Sequence, residues 1–343
     1  MTTNHVENNF VALNALLDAE LEFDATTKRG LTNHLPMALV AKAGLGAPKE
    51  ELDRYAAFYQ DQLVASSKPS STLNSRTWQQ AIGQPGSFDE LRDYFVRRIN
   101  EDGIEAAIRG HIEPLVPGIH GAAFHGAIRL AYALEVASPS RAAAGIAYLA
   151  ATATSLGDIP VTAAPVTDDP AVIFDAMATS NSFSLLEKRP LISEQMQQAA
   201  HVPEFFDLLT QCAITDDTPD RLRSLALRLF ASTGDFTSLH AVTGLEALSK
   251  LRPFVNDQRA FDSSCLVGIT AAYATVGAPR IASPDSLADF VRKNVSDITE
   301  ISRAGAMSNN EHVAKLIYSS LRLYDQTDEP LYLAIAAREA GLV

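Results

Sequence analysis

Apolar side chains recur along this 343-residue chain mostly at three- and four-residue steps, the spacing that stacks them on one face of a helix. In Leu52 to Val64 (LDRYAAFYQDQLV), Leu52, Tyr55, Ala56, Tyr59 and Leu63 form such a stripe. Similar stripes run through Phe88 to Ile99, Arg221 to Phe230 and Leu287 to Ile301. The β-branched alternation that marks strands is hardly present, so the pattern predicts a mainly α-helical protein. Ile159 to Val166 (IPVTAAPV) carries two prolines and reads as an extended linker.

Three stretches rich in turn formers read as surface connections: Ser66 to Ser75, Gly157 to Pro170 and Gly277 to Ser286. A division near residues 157–170 would give two halves of similar size. Composition does not shift across it, and the expectation is a single helical domain over residues 1–343. No fixed-period repeat argues for a solenoid. The fold class expected is all-α, an irregular multi-helix bundle.

Apolar residues make up 47% of the chain and charged residues 20%, which excludes disordered and low-complexity classes. With 28 Lys and Arg against 41 Asp and Glu, a formal charge of -13 argues against a phosphate-neutralising surface, so no nucleic-acid partner is expected. Cys212 and Cys265 match no disulfide framework or zinc spacing and read as core thiols. Residues Met1 to Asn9 lack the basic and apolar regions of a secretory signal, and the most apolar stretch, Ala142 to Ala153, is too short for a bilayer. The expectation is a cytoplasmic protein with no membrane partner.

Four of the eight histidines stand before or at the start of apolar, helix-like runs: His34, His125, His240 and His312. Rings at the mouths of core helices point to where those helix ends meet, and four meeting there would make a buried metal site between helix ends, suited to iron, zinc, copper or nickel. Each alone is more simply a hydrogen-bonded core histidine. Ser308-Asn-Asn-Glu311 reads as a capping box starting a helix at His312, which puts Lys315 one turn on over the same face. Beside a metal site, burial and the cation both favour a neutral amine, which can react with carbon dioxide to give an anionic carbamate ligand. Otherwise Lys315 is a solvated helix lysine.

Familiar alternatives are absent. No ExxH, HExxH, Walker A, GxSxG or reactive Cys-His spacing occurs. Gly44-Leu-Gly46 follows a helix-like run rather than a strand and reads as a helix end, with Pro48 as a stop. His111-Ile-Glu113 and His5-Val-Glu7 have the HxE spacing of a facial triad, but the first runs into Pro114 and the second lies at a terminus.

Taken in order, Asn33-His-Leu-Pro-Met37, Leu45-Gly-Ala47, Trp78 in NSRTWQQ, Phe124-His-Gly-Ala-Ile-Arg-Leu-Ala-Tyr-Ala-Leu-Glu135, Leu239-His-Ala-Val-Thr-Gly244 and Glu311-His-Val-Ala-Lys315 resemble the questin oxidase-like family from about Leu31 to Tyr318. The resemblance implies a helical fold and oxidative ring cleavage, of the Baeyer–Villiger or dioxygenase type, on anthraquinone-like or other aromatic small molecules. It implies dioxygen as co-substrate and a non-haem Fe(II) centre held by His34, His125, His240, His312 and a carboxylated Lys315. NADPH is a conceivable reductant, with no recognisable motif to bind it. Fungal relatives tend to carry a second histidine one turn after the position of His125, where this chain has Arg129. Arg129 and Tyr132, at i+4 and i+7 from His125, are expected on its face as substrate-pocket residues, with a salt bridge and core packing as the alternative. His120 is expected to be rotated off that face if the helix extends back to it. The contrasting readings are a metal-free helical binding or scaffold protein and a zinc-dependent hydrolase.

Overall fold

The computed structural model describes residues 3–160 and 164–343, with side chains from residue 11 onward. The chain opens with α1 (Thr3–Glu20), a short strand β1 (Phe23–Thr27), α2 (Leu35–Gly44), α3 (Lys49–Gln60) and β2 (Leu63–Ala65). It continues through α4 (Phe88–Asp102), α5 (Ile104–Arg109), α6 (His125–Glu135) and α7 (Pro139–Thr152). Beyond the 157–170 connection lie α8 (Pro170–Thr179), α9 (Asn181–Ser184), α10 (Ile192–Ala200), α11 (Glu204–Leu209), α12 (Thr218–Thr233) and α13 (Phe236–Leu251). The last third holds α14 (Gln258–Thr275), α15 (Pro284–Lys293), α16 (Ile298–Met307), α17 (Glu311–Thr327) and α18 (Pro330–Glu339).

The protein is all-α apart from one antiparallel pair among the described residues, in which Phe23 of β1 faces Ala65 of β2. Proline at the first helical position starts α7, α8, α15 and α18, where its missing N–H costs nothing. The stripe over Leu287 to Ile301 does not make one helix: α15 stops at Lys293, and Asp297 caps a new helix by accepting from the Thr299 N–H at 2.7 Å. The Leu52–Val64 stripe also ends early, because α3 gives way to β2 at Leu63. Gly46, at φ 89°, supplies the left-handed residue that turns the chain out of α2, and Pro48 precedes α3.

The core is a stack of tightly packed helices around α6, α7, α13 and α17. α6 and α7 approach so closely that a methyl group on Gly126 would lie 2.8 Å from the Leu149 Cα, and one on Gly145 2.8 Å from the Leu130 Cα. Helix α6 packs against α13, and α17 packs on α2, α13 and α18, so helices from both sides of the 157–170 connection share one core. Both cysteines are buried and free. No helix among the described residues is long and apolar enough to cross a membrane.

Candidate metal centre

His34 ends the loop from β1 and occupies the position just before α2. That loop is fixed by Asn33, whose backbone N–H donates to the Ala25 carbonyl at 2.8 Å and whose side-chain oxygen accepts from the Leu35 N–H at 3.0 Å. The His34 N–H itself donates to the Tyr59 hydroxyl at 3.0 Å. His125 is the first residue of α6 and follows three non-glycine residues in the left-handed region, Ala122, Ala123 and Phe124, at φ 48°, 53° and 68°. His240 stands in the second turn of α13 rather than at its mouth. His312 is the second residue of α17. The helix is capped by Asn310, which accepts from the His312 N–H at 2.9 Å, and not by Ser308 as the capping-box spacing predicts.

These four segments, far apart in sequence, bring their rings together. Ring centroids are 4.8 Å apart for His34 and His125, 4.6 Å for His34 and His312, 4.8 Å for His125 and His240, and 5.2 Å for His240 and His312. Donor atoms of His34, His125 and His312 lie within 4.8 Å of one another. Lys315, one turn after His312, is buried and places Nζ 2.8 Å from His34 Nδ1.

The ring orientations follow from backbone carbonyls. His125 Nδ1 lies 2.5 Å from the Ala122 oxygen, and His240 Nδ1 lies 2.7 Å from the Phe236 oxygen. A carbonyl only accepts, so in both rings the proton sits on Nδ1 and Nε2 keeps its lone pair. Both Nε2 atoms are buried without a hydrogen-bond partner among the described residues. A backbone carbonyl that fixes one ring nitrogen and leaves the other free is the usual outer-shell arrangement of a ligating histidine.

Burial dominates the electrostatics, and the neighbouring cations add to it. His34, His125 and His312 are all held well below the ordinary imidazole value by burial first, and then by Lys315 for His34 and His312 and by His240 for His125. His240 is pushed down to about 4, by burial and then by Lys315. Burial lowers the Lys315 amine to about 7, against a smaller upward pull from Glu311. The cluster therefore presents neutral imidazoles and an amine that loses its proton near neutrality. All four histidines, Glu311 and Tyr59 face a cavity of about 390 Å³ whose walls also include Phe88, Tyr148, Met196 and Phe236.

A family model described as questin oxidase-like matches residues 31–320. The chain belongs to the questin oxidase-like family. No curated protein matches it. Membership in the questin oxidase-like family indicates an oxidoreductase with a small-molecule substrate, an oxidase of the kind that acts on aromatic polyketides.

Within this questin oxidase-like chain, two residues expected in the substrate pocket stand elsewhere. Arg129 and Tyr132 do not line the 390 Å³ cavity; they border a much smaller crevice with Leu17, Glu20 and Pro36. The buried Arg129 donates to Glu20 Oε1 at 2.8 Å and to the Asn33 carbonyl at 3.1 Å. It thus ties the helix carrying His125 to the loop carrying His34. Tyr132 packs its ring 5.9 Å from that of Tyr318, in the core. The salt-bridge and packing alternative describes both.

His111 and Glu113 do not converge. His111 bonds the Tyr94 hydroxyl at 2.8 Å and the Ala107 carbonyl at 2.6 Å, while the Glu113 carboxylate accepts from the Asn256 N–H. The side chains of His5 and Glu7 lie outside the described residues. Burial pushes the Cys212 thiol up to about 11 and raises that of Cys265 further, so neither is a ready thiolate. Two cavity residues escape the pattern of helix-opening histidines. Phe236 sets its ring 4.6 Å from that of His240 and 4.7 Å from that of His312, and Asp235 next to it, a helix cap, is the only sign in the sequence that it begins α13. His120 lines the same cavity because α6 does not extend back to it.

Proposed function

We propose that the protein is a non-haem iron oxygenase that binds an aromatic small molecule, of the anthraquinone class or similar, and dioxygen, and cleaves the ring oxidatively in a Baeyer–Villiger or dioxygenase manner. The observation that carries this reading is the convergence of four neutral imidazoles on a single cavity, with the Lys315 amine 2.8 Å from His34 Nδ1 and the Nε2 lone pairs of His125 and His240 left unused. An ion with bonds of roughly 2.0–2.1 Å can span donors up to about 4.2 Å apart. The group of His34, His125 and His312 lies within 4.8 Å, so a closure of about 0.6 Å suits it to a metal.

His34, His125, His240 and His312 would hold the iron, with Lys315 as the fifth ligand. When bound, the iron supplies the one-electron and dioxygen chemistry that no side chain here provides. The Lys315 amine, partly deprotonated near pH 7, attacks carbon dioxide through its lone pair: an N–C bond forms, one carbon–oxygen π bond of carbon dioxide breaks and its electron pair goes to oxygen, the ammonium proton leaves to solvent, and the side chain becomes a carbamate with an anionic oxygen. That change relieves the repulsion a lysine cation would impose on the ion. The chain's other contribution is a largely apolar chamber, with Phe88, Tyr148, Phe236 and Met196 offering flat and flexible surfaces to an aromatic ring.

The test is elemental analysis of protein purified from iron-supplemented cells. The expected result is one iron per chain, with His240→Ala and Lys315→Met each losing most of it while keeping their helical circular dichroism. Folded wild-type protein without stoichiometric metal would end the proposal, and stoichiometric zinc with no oxygen consumption would replace it with hydrolytic chemistry.

A further inference from the structure

His120 is the fifth histidine of the cavity, and it differs from the other four. Its side chain is almost wholly buried and its Nε2 has no hydrogen-bond partner among the described residues. Among those residues its ring makes no close contact with the rings of His34, His125, His240 or His312, which touch one another in sequence. Burial alone lowers its basicity, to about 4, so it stays neutral at physiological pH. Its location is fixed from behind: a methyl group on Gly268 of α14 would lie 2.7 Å from the His120 Cβ and 3.0 Å from its ring. The ring is pressed against a bare stretch of helix and lines the cavity.

The cavity has a second unsatisfied feature, at its rim. Leu31, Leu191 and Phe236 all line it and are 44%, 39% and 52% exposed. Apolar side chains around an opening, with a histidine in the wall whose ring makes no hydrogen bond among the described residues, describe an occupant that is mostly hydrophobic and carries a hydrogen-bonding group.

We propose that His120 is a substrate-binding residue, outside the metal ligand set, whose ring nitrogen hydrogen-bonds a hydroxyl group on a flat aromatic ligand held by the Leu31, Leu191 and Phe236 rim. The aromatic class rests on the function proposed above; the hydroxyl rests on His120. A phenolic hydroxyl both donates and accepts, so it satisfies either neutral tautomer of the ring. A site that has a buried polar atom waiting discriminates strongly against an analogue lacking the matching group, because that atom is then left unpaired.

The experiment uses metal-free full-length protein and two probes, 2-naphthol and naphthalene, with dissociation constants measured by equilibrium dialysis. Comparing the ratio of the two constants between proteins removes the general difference in hydrophobicity. The expected result is that the preference for 2-naphthol falls about tenfold in His120→Leu, with naphthalene affinity little changed, and that His120→Gln keeps part of it. In wild-type protein carrying ring-labelled histidine, one imidazole resonance should shift with 2-naphthol and not with naphthalene, a readout that needs no variant. A ratio unchanged within twofold in His120→Leu, no histidine shift, or no binding of either probe would overturn the proposal. So would loss of iron in His120→Leu, which would make it a ligand. Because probe binding is read without metal, a failure of the iron assignment alone leaves the affinity ratio and the histidine shift untouched.

Discussion

Replacing Arg129 with Met should damage the protein through its architecture rather than through substrate contact. The guanidinium is buried, bonded to Glu20 at 2.8 Å and to the Asn33 carbonyl at 3.1 Å, and Glu20 also accepts from the Asn33 amide at 2.9 Å. Removing one partner of a buried ion pair costs roughly 3–5 kcal/mol, because the other charge is left without compensation. Burial already lifts the Glu20 carboxyl above its ordinary range even with Arg129 beside it. Without the guanidinium it can take up a proton and keep its bond from Asn33, so the expected loss is at the lower end, about 3 kcal/mol. Urea unfolding followed by circular dichroism and by the single buried tryptophan, Trp78, measures this, provided the two probes coincide. The double variant Glu20→Gln/Arg129→Met should recover part of the loss. Since Asn33 precedes His34, iron retention should fall along with stability. A loss below about 1 kcal/mol combined with a tenfold weaker affinity for 2-naphthol would refute this reasoning and return Arg129 to the substrate pocket.

Further outcomes follow from the same geometry. In metal-free protein, His120 stays neutral down to about pH 4 while the unfolded chain takes up a proton at its ordinary value of 6.5. Stability should therefore fall as pH drops from 6.5 to 4, by about 3 kcal/mol from this residue, and a Tm series on His120→Leu should show the slope reduced. Lys315 titrates near 7 when folded and near 10.5 when unfolded, so its contribution is lost as pH falls from 10.5 to 7. The Tm should rise between pH 7 and 9 in wild type and do so less in Lys315→Met; an equal rise in both would count against a buried amine. Gly268→Ala would force a methyl group against the His120 ring and should weaken 2-naphthol binding severalfold without loss of bound iron.

Much of this candidate site is legible in the sequence because its histidines and lysine stand as discrete residues in helical contexts. His312 and Lys315 are separated by one helical turn in any α-helix, so their shared face needs only the helix to be right. The convergence of His34, His125 and His240 on them is a tertiary fact, and its sequence signal is indirect: each introduces or begins a run too apolar to face water. His240 shows the weakness of that signal, since α13 starts four residues earlier at Phe236, where Asp235 accepts from the Thr237 N–H at 2.7 Å. Arg129 illustrates a different limit. Periodicity places it on a face of α6 but says nothing of Glu20, 109 residues away, which pairs with it there. The break between α15 and α16 is equally hidden, because the apolar stripe continues past Lys293, where α15 ends, and through Asp297, whose side chain opens α16.

The placement of His120 depends on a backbone reversal that periodicity could not foresee. Had α6 continued backward, two residues five apart would point about 140° away from each other, and His120 would face away from His125. Instead Ala122, Ala123 and Phe124 all adopt left-handed backbone, a conformation costing roughly 1–2 kcal/mol for each non-glycine residue. Such a turn persists only where its surroundings over-determine it. Three glycines do that here: a methyl on Gly121 would meet the Thr152 carbonyl oxygen at 1.9 Å, one on Gly244 the Phe124 ring at 2.7 Å, and one on Gly268 the His120 side chain at 2.7 Å. The turn is wedged between the end of α7 and the faces of α13 and α14, so its strain is borne by packing that no local preference supplies. The same wedge turns the Ala122 carbonyl toward His125 Nδ1, which leaves that ring's Nε2 without a hydrogen-bond partner among the described residues. Strain, glycine packing and imidazole orientation are thus one device, and relaxing it at Gly121 should disorder both histidines together.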